Sequence, residues 1–383
     1  MLGMTRIHWN PQATSDAPGP APDRAPLGYH RRLPGYEASP LRDAPSLAAE
    51  LDLGRLWVKD ESSRLGLPSF KILGASWGVY RALEEHIGGF EEWSRLDELA
   101  AQLGRRRPLT LAAATDGNHG RAVARMAQLL GLEARIFVPA GTAAARIEGI
   151  ESEGASCEVV DGSYDDAVAR SAREAGDRCL VISDTSWPGY EDVPRWVIEG
   201  YSTIFWEIDD QLSERGDAAP DLVVIQIGVG ALAAAAARHF RSGVRPSPRM
   251  VGVEPEASAC VLASMEAGRL VTIPGPHDSI MVGLNCGTPS VVAWPLVSRG
   301  FDAYVALADE RAGEGMRALA RAGVISGETG AAGIACLLEL LNERDARARL
   351  GIDRNTAALV LSTEGATDPA AYEAIVGARP GVP

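Results

Sequence analysis

The sequence predicts an α/β protein built on parallel sheets, and three observations carry that expectation. Short apolar runs alternate with longer segments of helical period along most of the 383 residues. Those runs, such as "DLVVIQIG" at 221–228 and "TAALVLST" at 356–363, are apolar throughout rather than at every second position, as strands covered on both faces are. Polar or glycine-rich turns, "ATDGNHG", "IGVGAL" and "LSTEGATD", follow three of them, and open parallel sheets bind ligands just beyond such strand ends.

Taken in order, residues 10–44 are rich in Pro, Ala and Asp and read as an extended arm or loosely packed wrap. "RLWVKD" (55–60) is a short strand, and "FKILGASWGVYRALEEH" (70–86) has helical periodicity. "LTLAAATD" (109–116) is a buried strand leading into "GNHGRAVARMAQLLG", a helix closed by Gly131. "EARIFVPA" (133–140) is a strand, "AAARIEGIESEG" a helix, and "SCEVVDG" and "CLVIS" are strands again. "DLVVIQIG" precedes an alanine-rich helix from 231, and "RMVGVEP" (249–255) and "TAALVLST" complete the buried strands. This length favours two domains over one.

Composition narrows the function class. Charged residues make up 23% and hydrophobic residues 46%, the balance of a soluble globular protein. A net charge of -14 argues against nucleic-acid binding, and "GRRRP" (104–108) is too small a basic run to reverse that. No apolar stretch approaches the ~20 residues of a membrane helix, and "MLGMTRIHWNPQ" lacks a secretory apolar core, so the expected location is the cytoplasm. The five cysteines include no CxxC pair and the six histidines show no ligand spacing, so no metal site is expected.

Chemistry concentrates in four segments. In "IGVGAL" the glycines at 228 and 230 let backbone N–H groups approach an anion at a helix N-terminus, although tight strand-to-helix turns use glycine in any case. With neither a third glycine at dinucleotide spacing nor a Walker lysine, a single phosphate suits it best. "ATDGNHG" places Thr115, Asp116, Gly117, Asn118 and His119 ahead of a helix; an Asp or Asn there caps helices, but so many polar groups exceed what a cap requires. His119 reads as a packed, hydrogen-bonded histidine rather than a base. Asp184 sits in "SDTSWPGY", where an aspartate after a strand often serves only to cap or turn. Lys71 is flanked by Phe70, Ile72 and Leu73; it either snorkels to the surface or is a buried amine able to form a Schiff base with a carbonyl compound such as pyridoxal phosphate.

Together these segments resemble the fold-type II pyridoxal-phosphate family, and within it the diaminopropionate ammonia-lyase branch. The resemblance is carried by "VKDESSRLGLPSFKILGAS", "ATDGNHGRAVA", "DTSWPGY", "VIEGYSTIFWEI", "GVGAL", "MVGLNCGTPS", "SGETGAAG" and "LSTEGATD", in family order across residues 35–370. It implies an α/β fold of two three-layer domains, like the tryptophan synthase β subunit, with the cofactor between them. An N-terminal arm (1–45) would precede a large cofactor-binding domain (46–76 and 191–383) interrupted by a small inserted α/β domain (77–190). It also implies a homodimer.

By the same resemblance Lys71 would carry pyridoxal 5'-phosphate and act as base at Cα, and Asn118 would meet the pyridine hydroxyl. Gly228, Val229, Gly230, Ala231 and Leu232 would hold the phosphate, Ser362 (less readily Thr363) would face the pyridine nitrogen, and Glu328 would lie near the ring. Thr115, Asp116 and Gly117, up to Asn118, would receive the substrate carboxylate. Asp116 and Asp184 mark the ammonia-lyase branch, since dehydratase relatives carry a small residue at the first; either carboxylate could bind a β-ammonium group or work on the face opposite Lys71. The expected reaction is α,β-elimination of 2,3-diaminopropionate, or a related β-substituted amino acid, to pyruvate and ammonia. A serine/threonine dehydratase, a β-replacement synthase, and a catalytically silent ligand-binding relative stay open. Ala231, where a hydroxyl or glycine is common, and Pro188, in the Asp184 loop, depart from the family pattern.

Overall fold

The structure, a computed structural model, describes residues 5–16, 21–115, 117–243 and 246–381. Its strands are β1 (Arg6–Trp9), β2 (Leu41–Asp43), β3 (Arg55–Asp60), β4 (Thr110–Ala114), β5 (Glu133–Pro139) and β6 (Ser156–Val160). They continue with β7 (Cys179–Val181), β8 (Leu222–Gln226), β9 (Arg249–Pro255), β10 (Ala303–Leu307) and β11 (Ala357–Ser362). The chain packs into two compact units, one of Met1–Pro22, Ala38–Ser63 and Ile204–Pro383, the other of Asp23–Glu37 and Arg64–Thr203. Among the described residues no helix is long and apolar enough to cross a membrane.

The first unit holds a seven-stranded sheet in the order β1-β10-β9-β8-β11-β3-β2. Its five inner strands are parallel, and the short edge strands β1 and β2 pair antiparallel. In β8 every residue is buried. Leu222 and Val224 join a core with Met316, Leu319, Ile334 and Leu337 from the helices Asp309–Arg321 and Glu328–Asn342. Val223 and Ile225 point to the opposite face and are equally buried, so the sheet is covered on both sides. That double cover is why these strands read as continuous apolar runs.

The second unit holds a parallel four-stranded sheet, β6-β5-β4-β7. Leu111 and Ala113 of β4 pack with Val123, Leu130 and Ile136, while Ala112 and Ala114 meet Phe137, Ala167 and Val181 on the other side. Both units are therefore three-layered α/β structures, as expected, with antiparallel edge strands added to the larger sheet. The sequence reading missed β1, β2, β10 and the 24-residue helix Asp192–Arg215.

The described residues 21–44 are packed more closely than the extended arm or loosely packed wrap expected over 10–44. Within them the helix Ala25–His30 buries Leu27, Tyr29 and His30. The His30 imidazole lies 2.7 Å from Thr203 Oγ1 and 2.9 Å from the Leu73 carbonyl. Residues 23–37 belong to the second unit and the stretches on either side to the first, and the unit boundaries at 63/64 and 203/204 differ from the expected domain ends at 76 and 190. The helix Lys71–Ile87 thus lies wholly in the second unit.

That helix is seated by glycines. A Cβ at Gly200 would stand 2.5 Å from the Leu73 carbonyl and 2.9 Å from Gly74 Cα, and one at Gly74 would enter the Tyr201 ring. The "VIEGY" segment therefore permits two helix backbones to meet at the turn that carries Lys71. Gly200→Ala should overpack this crossing and cost about 2 kcal/mol, read as a lowered thermal unfolding midpoint. A midpoint equal to wild type would show that the crossing relaxes freely.

Candidate active site

In the second unit, Lys71 is the first residue of its helix, with Phe70 as the N-cap. Its Nζ donates to Asp184 Oδ2 at 2.7 Å. The other carboxylate oxygen, Oδ1, accepts from the Tyr164 hydroxyl at 3.1 Å. Asp184 is 4% exposed. Burial alone would raise its carboxyl, but the Lys71 ammonium and the hydrogen bonds from Lys71 and Tyr164 outweigh burial and hold it well below the ordinary carboxylate range.

The loop that presents Asp184 is locked by its own sequence. The Tyr190 hydroxyl donates to the Val181 carbonyl at 2.6 Å and accepts from the Ser183 amide at 3.1 Å. Trp187 and Tyr190 stack at 4.2 Å, and their backbones bond to each other across the turn. Pro188 followed by Gly189 at φ +88° is the residue order of a type II turn, so the proline fits this loop rather than reshaping it.

The turn after β4 is equally constrained. Thr115 Oγ1 accepts from the Gly117 amide at 2.9 Å, and Gly117 adopts φ +147°, which favours glycine. A Cβ at Gly120 would stand 2.6 Å from Ile136 Cγ2 and would also enter Thr115, so this glycine lets the helix Asn118–Leu130 rest on the turn. Asn118 is the first residue of that helix. Asp116 lies outside the described residues. His119 is buried, as read from the sequence, with Nε2 2.8 Å from the Ile182 carbonyl, yet its Nδ1 lies 4.0 Å from Asp184 Oδ2. The structure thus brings Lys71 and Asp184 into contact and sets His119 beside them. Tyr164, whose position after β6 gave no signal in the sequence, is the residue the reading missed.

In the first unit, the turn of Gly228, Val229 and Gly230 follows β8, and Ala231 and Leu232 open the helix Ala231–Phe240. Gly230 caps it at φ +100°, and the first N–H groups of a helix have no partner within it. The Ser290 amide donates to the Val229 carbonyl at 2.8 Å, and a Cβ at Gly228 would stand 3.2 Å from the Gly283 carbonyl and 3.5 Å from Cys286 Sγ. "MVGLNCGTPS" is therefore the segment packed over this turn.

Ser362 ends β11, beside β8, and its hydroxyl donates to Ser326 Oγ at 2.8 Å. Gly327 and Gly330 let the buried Glu328 and its helix reach that strand end: a Cβ at Gly330 would stand 2.7 Å from the Glu364 carbonyl. Gln226, also unread from the sequence, ties the two together by donating to the Gly330 and Leu361 carbonyls at 2.9 and 2.8 Å. Thr363 Oγ1 is buried with no hydrogen-bond partner among the described residues. Unpaired helix amides suit a phosphate, a buried unpartnered hydroxyl suits a heteroaromatic nitrogen, and a lysine amine suits an aldehyde, so these residues fit pyridoxal phosphate.

In the cofactor-free protein, the Lys71–Asp184 pair yields a pH-dependent prediction. A carboxyl held below its ordinary 3.8 contributes stability above about pH 4, and that contribution fades as pH falls and the unfolded chain binds the proton first. Asp184→Asn should therefore cost about 2 kcal/mol at neutral pH, discounted for the partial exposure of Lys71, with the gap to wild type narrowing below pH 4 in urea unfolding. A gap of equal size at pH 3 would refute the assignment.

Comparison with known proteins bears directly on this arrangement. The pyridoxal-phosphate dependent enzyme family matches residues 33–362. Diaminopropionate ammonia-lyase of Salmonella typhimurium is 36% identical over 91% of this chain and 90% of its own length. The crystal structure of diaminopropionate ammonia-lyase from Escherichia coli in complex with D-serine superposes with a TM-score of 0.90 at 31% identity, covering 97% of this chain and 96% of that one. The biosynthetic L-threonine dehydratase of Haemophilus influenzae is 27% identical over 65% of this chain and 41% of its own. The Lys71 amine, the glycine turn at the Ala231–Phe240 helix and the 33–362 match lead to one conclusion: the chain belongs to the pyridoxal-phosphate dependent enzymes, and pyridoxal phosphate is its cofactor.

Proposed function

We propose that the chain is an ammonia-lyase catalysing α,β-elimination of 2,3-diaminopropionate to pyruvate and ammonia. The observation that carries this reading is the alkylammonium held by Asp184, the Lys71 Nζ at 2.7 Å: a buried carboxylate that accepts one such ammonium is chemically suited to the second amine of a diamino acid. The relatives named diaminopropionate ammonia-lyase support it, matching more of the chain at higher identity than the threonine dehydratase does.

In this reading Lys71 carries the cofactor, Gly228, Val229, Gly230, Ala231 and Leu232 hold its phosphate, and Asn118, Glu328 and Ser362 surround its ring. Thr363, with its unpartnered hydroxyl, is the alternative to Ser362. When bound, the cofactor supplies an electron sink for the pair left at Cα. The turn Thr115–Asn118 receives the substrate carboxylate. The freed amine of Lys71 removes the Cα proton on one face and Asp116 on the other, which allows both enantiomers to react. Asp184 binds the β-amino group, which departs as ammonia, and the released enamine hydrolyses to pyruvate and a second ammonia. The unit built on the seven-stranded sheet is the cofactor-binding domain and the unit built on the four-stranded sheet the smaller inserted one. The working enzyme is a cytoplasmic homodimer.

Purified protein should show a visible absorption band that is abolished in Lys71→Ala. Pyruvate and ammonia should form from diaminopropionate at a kcat/KM at least about tenfold above that for serine or threonine. Rapid turnover of serine with none of diaminopropionate would make the chain a dehydratase instead. Asp116→Asn should lose one enantiomer selectively; equal loss of both would assign Asp116 to substrate binding alone.

A further inference from the structure

We infer that His119 is a specificity-determining residue: its bare Nδ1 is the second acceptor of the alkylammonium position at Asp184, and it selects substrates that bring a second amine. The inference rests on the ammonia-lyase reading above, because only a diamino acid presents that group.

The tautomer follows from one contact. His119 Nε2 lies 2.8 Å from the Ile182 carbonyl, and a carbonyl oxygen only accepts, so Nε2 carries the hydrogen. Burial, and then the Lys71 charge, lower the imidazole's proton affinity, while Asp184 opposes them in part, and the net effect keeps the ring neutral. Nδ1 therefore presents a lone pair. His119 is 1% exposed, and its Nδ1 has no hydrogen-bond partner among the described residues. A buried acceptor without a donor is rare in folded proteins, and a bound donor accounts for it.

The surroundings specify that donor. Nδ1 lies 4.0 Å from Asp184 Oδ2, too far for a hydrogen bond, and neither atom carries a hydrogen to share. A single nitrogen at about 2.8 Å from each acceptor bridges such a gap, provided that it offers two diverging N–H bonds. An alkylammonium offers three, whereas the hydroxyl of serine or threonine offers one and leaves an acceptor unpaired. Tyr164 occupies Asp184 Oδ1, leaving Oδ2 for the ammonium, and the Lys71 Nζ at 2.7 Å from Oδ2 marks where an alkylammonium sits. In the ammonia-lyase reading Lys71 works at the cofactor and at Cα rather than at Asp184, so its charge leaves that position and the second amine of the substrate takes its place.

Two variants separate this role from a packing role. In His119→Gln the amide nitrogen reaches the place of Nε2 and keeps the Ile182 bond but removes the acceptor. In His119→Asn the amide oxygen stands where Nδ1 was. In His119→Gln the kcat/KM for diaminopropionate relative to serine should fall about tenfold or more, the scale of a lost hydrogen bond to a charged group, with serine turnover within about twofold of wild type. His119→Asn should retain more of that ratio than His119→Gln. A second readout needs neither cofactor nor turnover. In cofactor-free Lys71→Ala protein, where the lysine no longer competes, added ethylammonium should shift the ¹⁵N resonance of His119 Nδ1. An unchanged ratio in His119→Gln, equal losses on both substrates, or an unmoved resonance under saturating ethylammonium would overturn the inference. A wild-type enzyme inactive on diaminopropionate would overturn the function reading instead, and the ethylammonium titration would still decide whether His119 binds an ammonium.

Discussion

A lysine ammonium at the first residue of a helix faces the positive end of that helix's dipole, so Lys71 needs a compensating anion close by. Asp184 supplies it from a different element, and most of the surrounding architecture exists to hold the two in register. On the lysine side, Gly74 and Gly200 let two helices approach until the backbone of one meets the backbone of the other. On the aspartate side, the Pro188–Gly189 turn, the Trp187–Tyr190 stack and the two hydrogen bonds of the Tyr190 hydroxyl fix a loop that would otherwise wander. A carboxylate this buried would be costly without its partners, so the pair also explains why Tyr164 donates to the remaining oxygen.

The larger sheet solves a different problem by similar means. Two strand ends, those of β8 and β11, have to be presented beside the N-terminus of the Glu328–Asn342 helix. Gly327 and Gly330 remove the side chains that would keep that helix away, and Gln226 spans the gap with donors to the helix and to the strand. The turn at 228–230 is in turn covered by the segment around Gly283, which bonds to Thr329 of the same helix at 3.1 Å. Glycines that look like ordinary turn residues in the sequence are thus placed where backbones touch, a use that composition does not reveal.

Much of the fold was legible. Strands β3, β4, β5, β8, β9 and β11 announce themselves as apolar runs because both faces of each sheet are covered, and β6 was read although it is a largely exposed edge strand. β10, "AYVAL", is as apolar and as long as β8 and was overlooked, whereas β1 and β2 are edge strands whose exposed sides break the pattern. The helix Ala25–His30 hid in a Pro- and Asp-rich stretch because its stability comes from burying Leu27, Tyr29 and His30, not from local propensity. Lys71 and Asp184 could each be singled out by type and neighbourhood, but nothing in the sequence says that they touch. His119 was legible only as a packed histidine, because a tautomer is set by a partner, the Ile182 carbonyl, 63 positions along the chain.

The alternating α/β order, the glycine turn at a helix N-terminus, a lysine set among apolar residues and, through the ordered motifs, membership of a cofactor family can all be read from the amino-acid sequence. These are properties of local composition and spacing, which the chain carries wherever it is placed. It takes the folded chain to show which carboxylate partners Lys71, that Tyr164 braces it, and which nitrogen of His119 is left bare. Those outcomes depend on groups distant in sequence meeting at hydrogen-bond range in a buried setting, where one partner more or less changes charge state and orientation.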